Sequence, residues 1–154
     1  MARVKVDFSF LLMNSLMFMA GDGGMAAGFY MVCIAHELGH IAVLRAFGGK
    51  LRRVEFTGFG IKMTAAPIPG IFRELAVLLS GPLVNLAIWL ALKMSGTHGE
   101  LSRLSLLAGL YNLLPLPFLD GGAVLDLLAV HSGVKAVAAV LWAAAVVVAY
   151  IVLT

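Results

Sequence analysis

The sequence predicts an all-α polytopic membrane protein that crosses the bilayer about five times, with one short β-hairpin at the membrane surface. Of its 154 residues, 62% are apolar and only 12% are charged, and the mean hydropathy is +1.02. Because a soluble domain carries about 25% charged residues, a chain so poor in charge cannot cover a water-facing surface. The length accommodates a single domain, residues 1–154, without a separate soluble module.

Five apolar stretches are predicted to be membrane segments, because about 20 apolar residues span a hydrocarbon core of about 30 Å. They are Phe8–Ala20, Met25–Phe47, Leu75–Leu92, Leu104–Leu119 and Ala136–Leu153. The first is short and follows a basic start, which is also the shape of a signal peptide. Since further apolar segments follow at once, we interpret it as a retained segment. In the fourth, Pro115 and Pro117 should end the helix near Leu114.

The segment between the second and third stretches, Gly48–Gly70, is basic. Its basic residues are Lys50, Arg52, Arg53 and Lys62. Within it, Val54–Met63 is rich in strand formers and glycine, which predicts a short surface hairpin. The N-terminus is basic too, so the positive-inside rule places both regions in the cytosol. The net charge of +3 is distributed over segment ends, which suits anionic lipid headgroups better than nucleic acid.

An H-E-x-x-H motif, formed by His36, Glu37 and His40, lies inside the second apolar stretch. Residues four apart share a helix face, about 6 Å apart along the axis, so both imidazoles can reach one metal ion. Zinc accepts such ligands and keeps one position for water in catalytic sites. Glu37 can take a proton from that water and return it to a leaving amine. Ionisable groups in a membrane helix are functional by default; the alternative is a hydrogen-bonded His/Glu cluster between helices.

Asp120 is the candidate third ligand, because the uncharged stretches offer almost no other. It follows Pro115 and Pro117 and precedes two glycines, so irregular backbone can deliver its carboxylate at membrane depth. Such backbone is tolerated there only where protein or a water-filled cavity surrounds it. The alternative is that Asp120 merely caps a helix starting near Gly121.

The two motifs together resemble the site-2 protease family of intramembrane zinc metalloproteases. H-E-L-G-H is followed about 80 residues later by N-L-L-P-L-P-F-L-D-G-G, and the resemblance covers roughly Met25 to Leu128. It implies one zinc ion bound by His36, His40 and Asp120, with Glu37 as the catalytic acid/base. It also implies that Asn112, eight residues before Asp120, positions the substrate carbonyl or stabilises the oxyanion.

The resemblance is strongest to the sporulation-type branch of that family, which processes a membrane-associated sigma-factor precursor. It implies a bacterial inner-membrane protease with its site towards the cytosol. Its partner would be a membrane protein or membrane-associated peptide, such as a sigma-factor precursor or an anti-sigma factor. That branch typically adds a C-terminal nucleotide-sensing domain beyond the equivalent of Thr154, and this departure weakens any transfer of its substrate. A homo-oligomer or an inhibitory membrane partner stays open.

Three further residues are candidates for substrate binding. Asn85 belongs to a G-P-x-x-N element that resembles a family site of close helix packing. An amide in the membrane needs a partner, so Asn85 either makes a packing hydrogen bond or gates the substrate. An exposed edge of the Val54–Met63 hairpin could pair with an unwound peptide, with Phe56 and Gly58 as contacts. The alternative is a merely structural hairpin.

Other potential ligands have simpler interpretations. Cys33, the single cysteine, lies three residues before His36 and is interpreted as a small apolar filler rather than an extra metal ligand. His98 and His131 lie outside the apolar cores and are interpreted as loop or interface residues.

Two other functions compete with proteolysis. A zinc-binding membrane transporter would use the same ligands to carry the ion, but it needs a polar route on both sides, and the sequence indicates one on a single side. A catalytically inactive relative that binds membrane proteins would not need Glu37.

Overall fold

The computed structural model describes residues 3–20, 23–58, 60–66, 68–97, 99–128 and 132–153. Its helices are α1 (Phe8–Ala20), α2 (Gly23–Ala46), α3 (Ile71–Met94), α4 (Glu100–Asn112), α5 (Asp120–Leu128) and α6 (Ser132–Leu153). Its strands are β1 (Arg3–Val6), β2 (Leu51–Thr57) and β3 (Gly60–Ala65). The mostly helical membrane fold with a small β element is therefore confirmed.

Three helices of the described residues are long and apolar enough to cross a membrane. These spans are Gly24–Ala46, Ile71–Met94 and Lys135–Leu153, and they correspond to three of the five predicted segments. Helices α1 and α4 have 13 residues each, which is about 20 Å at 1.5 Å per residue and short of the hydrocarbon core. Five spans are therefore not confirmed. Helix α4 ends at Asn112, close to the predicted end before the two prolines.

The predicted hairpin is present as β2 and β3, which pair antiparallel. A third strand, β1, pairs with β2 in parallel, and the sheet order is β1-β2-β3. The sequence analysis did not predict β1, because four residues have no strand signal of their own and their partner lies about 50 positions further along. As a result β2 is the central strand, and β1 and β3 form the edges.

Close contacts between α2, α3 and α4 form the core that positions the site. A Cβ on Gly39 of α2 would lie 2.8 Å from the carbonyl oxygen of Ser80 in α3. A Cβ on Gly109 of α4 would lie 2.9 Å from Cδ2 of Leu86 in α3. Small residues let membrane helices approach closely. By contrast, only 6% of the most apolar stretch of α6 is buried, which is typical of a lipid-facing helix.

Candidate metal centre

Three of the predicted ligands converge between α2 and the start of α5. The Nε2 atoms of His36 and His40 lie 3.1 Å apart. The Oδ2 atom of Asp120 lies 3.0 Å from the first and 3.2 Å from the second. His36 is buried and the other two residues are half-buried. Two imidazole nitrogens and one carboxylate oxygen thus face a common point and form a group that could hold a metal ion.

Tight backbone packing delivers Asp120 to this point. Residues 113–119 turn between α4 and α5, with hydrogen bonds from Leu116 N to Leu114 O and from Leu119 N to Leu116 O of 2.8 and 2.9 Å. A Cβ on Gly122 would overlap the carbonyl oxygen of Leu116, so the first turn of α5 can lie on this loop only because glycine stands there. Asp120 therefore both starts a helix and reaches the histidines, which satisfies the two interpretations considered above.

The charge state of Asp120 follows from its neighbours. Burial acts to raise the pKa of this carboxyl, but hydrogen bonds from His36 and His40 outweigh it, and the net effect lowers the pKa. Hydrogen bonds to the charged form of an acid stabilise that form. Asp120 is therefore a carboxylate, the form that binds a cation.

The outer nitrogens of both histidines contact α3. Nδ1 of His40 lies 2.7 Å from the carbonyl oxygen of Val77. Because a carbonyl oxygen only accepts, Nδ1 donates, and the neutral ring keeps its lone pair on Nε2. Nδ1 of His36 lies 3.2 Å from the side-chain amide of Asn85. Metal-binding histidines usually have such partners, which fix the ring orientation.

Gly81 of α3 makes room for the inner nitrogens. A Cβ at this position would lie 2.7 Å from Nε2 of His36 and would overlap Nε2 of His40. The close helix packing that the G-P-x-x-N element predicted is therefore confirmed at the metal-binding atoms. The sequence analysis did not single out Gly81 or the Val77 carbonyl. The glycine of the motif was a usable signal for the first, whereas a backbone carbonyl leaves none.

Glu37 follows His36 on α2 and is half-buried. It lies near enough to His40 and Asp120 to interact with them electrostatically. One helical turn earlier, Cys33 lines an apolar cavity of about 110 Å³ between α1, α2 and the sheet. Within the described residues, Cys33 does not belong to the metal-binding group, in agreement with its interpretation as a filler.

Asn112 is the last residue of α4, and its Nδ2 donates to the carbonyl oxygen of Ala108 at 2.9 Å. An amide nitrogen carries two hydrogens, so this bond uses one of them. The second hydrogen is what the predicted contact with a substrate carbonyl requires.

The remaining predicted substrate residues lie in other settings. The side chain of Asn85 is fully buried and faces His36, not the molecular surface. Phe56 is in the central strand and pairs with Val6 and Ile61 on its two sides, so its backbone offers no open edge. The open edge of the hairpin lies along β3. His98 and His131 lie outside the described residues.

Both Phe56 and Gly58 line the apolar cavity. The backbone N–H of Gly58 also donates to Oγ of Ser9 at 3.0 Å. These two residues therefore offer a substrate an apolar wall rather than a free strand.

Together, the fold and the His/His/Asp group define a membrane protein with a candidate metal centre. No protein-family model matches the chain. It is similar to "Stage IV sporulation protein FB" of Bacillus subtilis, with 32% identity over 108 residues that cover 64% of this chain and 38% of that protein. It is also similar to a Synechocystis protein named "Putative zinc metalloprotease", with 33% identity over 108 residues, 60% of this chain and 27% of that protein.

Among solved structures, the fold matches the site-2 protease from Methanocaldococcus jannaschii with a TM-score of 0.66 and 25% identity. The match covers 79% of this chain and 64% of that one. These similarities assign the chain to the site-2 protease family, as the paired motifs predicted. The chain spans well under half the length of the two sequence relatives.

Proposed function

We propose that this protein is an intramembrane zinc metalloprotease that hydrolyses a peptide bond in, or next to, a membrane segment of a substrate protein. The observation that carries the proposal is the convergence of Asp120 with His36 and His40, beside Glu37. Distant parts of the chain supply these side chains, and a membrane protein without metal chemistry has no use for the arrangement.

The donor set fits zinc, which binds imidazole nitrogen and carboxylate oxygen at about 2.0–2.2 Å. In tetrahedral geometry such ligand atoms lie about 3.3–3.5 Å apart. The three distances between the donor atoms are 3.0, 3.1 and 3.2 Å. The triangle therefore needs to open by only a few tenths of an ångström. Three protein ligands also leave the fourth position for water.

The chain's own residues divide the remaining work. Zinc, when bound, supplies Lewis-acid activation of water and of the scissile carbonyl. Glu37 takes the proton of the attacking water and returns it to the departing amine. The second amide hydrogen of Asn112 donates to the oxygen on which negative charge develops.

A substrate helix must become extended before it can be cut. The open edge of β3 is the surface that could pair with the unwound peptide, as strand addition does elsewhere. The cavity beside Phe56 and Gly58 has a volume of about 110 Å³, which suits one apolar side chain of the substrate.

The biological setting is part of the same proposal. Residues 1–154 act as one protease domain in a bacterial inner membrane, with the site opening to the cytosol, as the basic segment near His40 favours. The substrate is a membrane-associated sigma-factor precursor or an anti-sigma factor. The similarity to a sporulation protein of Bacillus supports this choice.

The deciding experiment measures cleavage of a panel of membrane-segment substrates by the purified chain in detergent. The parent should cut at least one substrate, lose activity with a chelator and regain it with one equivalent of zinc. Glu37→Gln should keep zinc but lose about 10²–10⁴-fold in rate, the typical contribution of general acid–base catalysis. Cleavage that persists in Glu37→Gln, or without metal, would refute the proposal. Zinc uptake into vesicles by Glu37→Gln would favour a transporter instead.

A further inference from the structure

Asn85 of α3 has an amide where packing alone would favour a hydrocarbon side chain. Its exposed fraction is 0%, and one end of the amide lies 3.2 Å from Nδ1 of His36. The other end, Oδ1, has no hydrogen-bond partner among the described residues. Burying an amide that is only half satisfied is costly, whereas leucine has almost the same shape without this cost. The contact with His36 is therefore what an amide provides at this position.

The orientation of that amide decides which nitrogen of His36 can bind metal. With Nδ2 towards the ring, His36 Nδ1 has to accept, and the hydrogen of the neutral ring sits on Nε2, the atom that faces Asp120. A half-turn of the amide interchanges its oxygen and nitrogen at almost unchanged shape. The oxygen then accepts from Nδ1–H, and Nε2 presents its lone pair.

His40 already has this second arrangement, since its Nδ1 contacts the carbonyl oxygen of Val77 at 2.7 Å. Val77, Gly81 and Asn85 are spaced four residues apart in α3 and therefore share one face of that helix. The two outer residues contact the two outer ring nitrogens, and Gly81 between them leaves room for both inner nitrogens. One face of α3 thus supports both histidines.

We propose that Asn85 is a positioning residue whose carbonyl oxygen accepts a hydrogen bond from Nδ1 of His36 and so directs the Nε2 lone pair of that ring to the metal. This inference rests on the proposed zinc site. It replaces the gating role considered for Asn85 with one that acts through His36, because a fully buried side chain cannot contact a substrate.

The test compares zinc affinity, by chelator competition in detergent, in the parent chain and in two variants of similar size. Asn85→Asp keeps an acceptor towards His36 and should bind zinc at least as tightly as the parent. Asn85→Leu keeps the volume but removes the acceptor, and should weaken binding by about 10–100-fold, the usual effect of losing such a partner. Ser105→Ala is the control, because Ser105 is equally buried but bonds only to Leu101 O in its own helix.

The outcomes separate the two levels of the argument. A parent chain that binds no zinc refutes the proposed function and this inference with it. Parent-like affinity in Asn85→Leu, or equal losses in Asn85→Leu and Asn85→Asp, leaves the zinc site intact and refutes the role of Asn85 alone. If Asn85→Leu does not fold, Asn85→Ser replaces it. Its hydroxyl is too short to reach His36, so the same loss of affinity is expected, and parent-like affinity would overturn the inference.

Discussion

A single added methyl group at Gly81 should abolish metal binding. In Gly81→Ala the new Cβ would lie 2.7 Å from Nε2 of His36 and would overlap Nε2 of His40, whereas ordinary contacts begin near 3.4 Å. His36 Nε2 would have to move by at least 0.7 Å relative to α3. Neither ring can retreat easily, because Asp120 lies 3.0 Å from His36 and Val77 holds His40 at 2.7 Å.

The size of this displacement sets the expected effect. Metal–ligand distances tolerate deviations of about 0.2 Å, so a shift of 0.7 Å is incompatible with an intact site. Loss of a supporting contact around a metal typically costs 10–100-fold in affinity. Because Gly81→Ala displaces the ligands themselves, we expect a loss of zinc affinity of about 100-fold or more.

The assay is chelator competition on the purified protein in detergent, with thermal unfolding measured alongside. Gly28→Ala is the matched control, because Gly28 also lies at a helix contact of α2 but meets only the flexible end of Leu104, at 3.3 Å. It should bind zinc like the parent. Parent-like zinc affinity in Gly81→Ala would show that α3 does not pack on the ligand nitrogens, and the proposed geometry of the site would be wrong.

Three other substitutions test separate parts of the site. Asp120→Ala should reduce the zinc content of the purified protein from one per chain to near zero, since only two ligands remain; full zinc content would remove Asp120 from the ligand set. Asn112→Ala should keep zinc but lower the cleavage rate by about 10²–10³-fold, the typical cost of removing one oxyanion donor, and an unchanged rate would exclude this role. Gly122→Ala should lower the free energy of unfolding by about 1–3 kcal/mol, as overpacking does, because its Cβ would overlap the Leu116 carbonyl. Thermal unfolding measures this loss, and unchanged stability would contradict the tight loop before α5.

Features that depend on neighbouring residues were predictable from the sequence. His36 and His40 share a helix face because the helical period is a property of consecutive residues. The prolines after Leu114 indicated the end of α4 because proline cannot continue the ladder, and the helix ends at Asn112. Glycine and strand formers indicated the hairpin in the same way.

Features that depend on distant partners were not predictable. Strand β1 exists only through its pairing with β2, and this pairing makes Phe56 central and leaves the open edge along β3. Hydropathy also treated the stretches containing α1 and α4 as spans, whereas both helices have only 13 residues. Their ends depend on the loops and helices around them, not on apolar content.

The sequence by itself determined which side chains can bind a metal and where the helices must break, because residue chemistry, helical period and proline geometry are local. Only the tertiary structure decided that the Asp120 carboxylate lies 3.0 and 3.2 Å from the two rings and that Asn85 faces His36. Those distances arise from the packing of α3 and α5 against α2, which is a relation between residues that no local pattern contains.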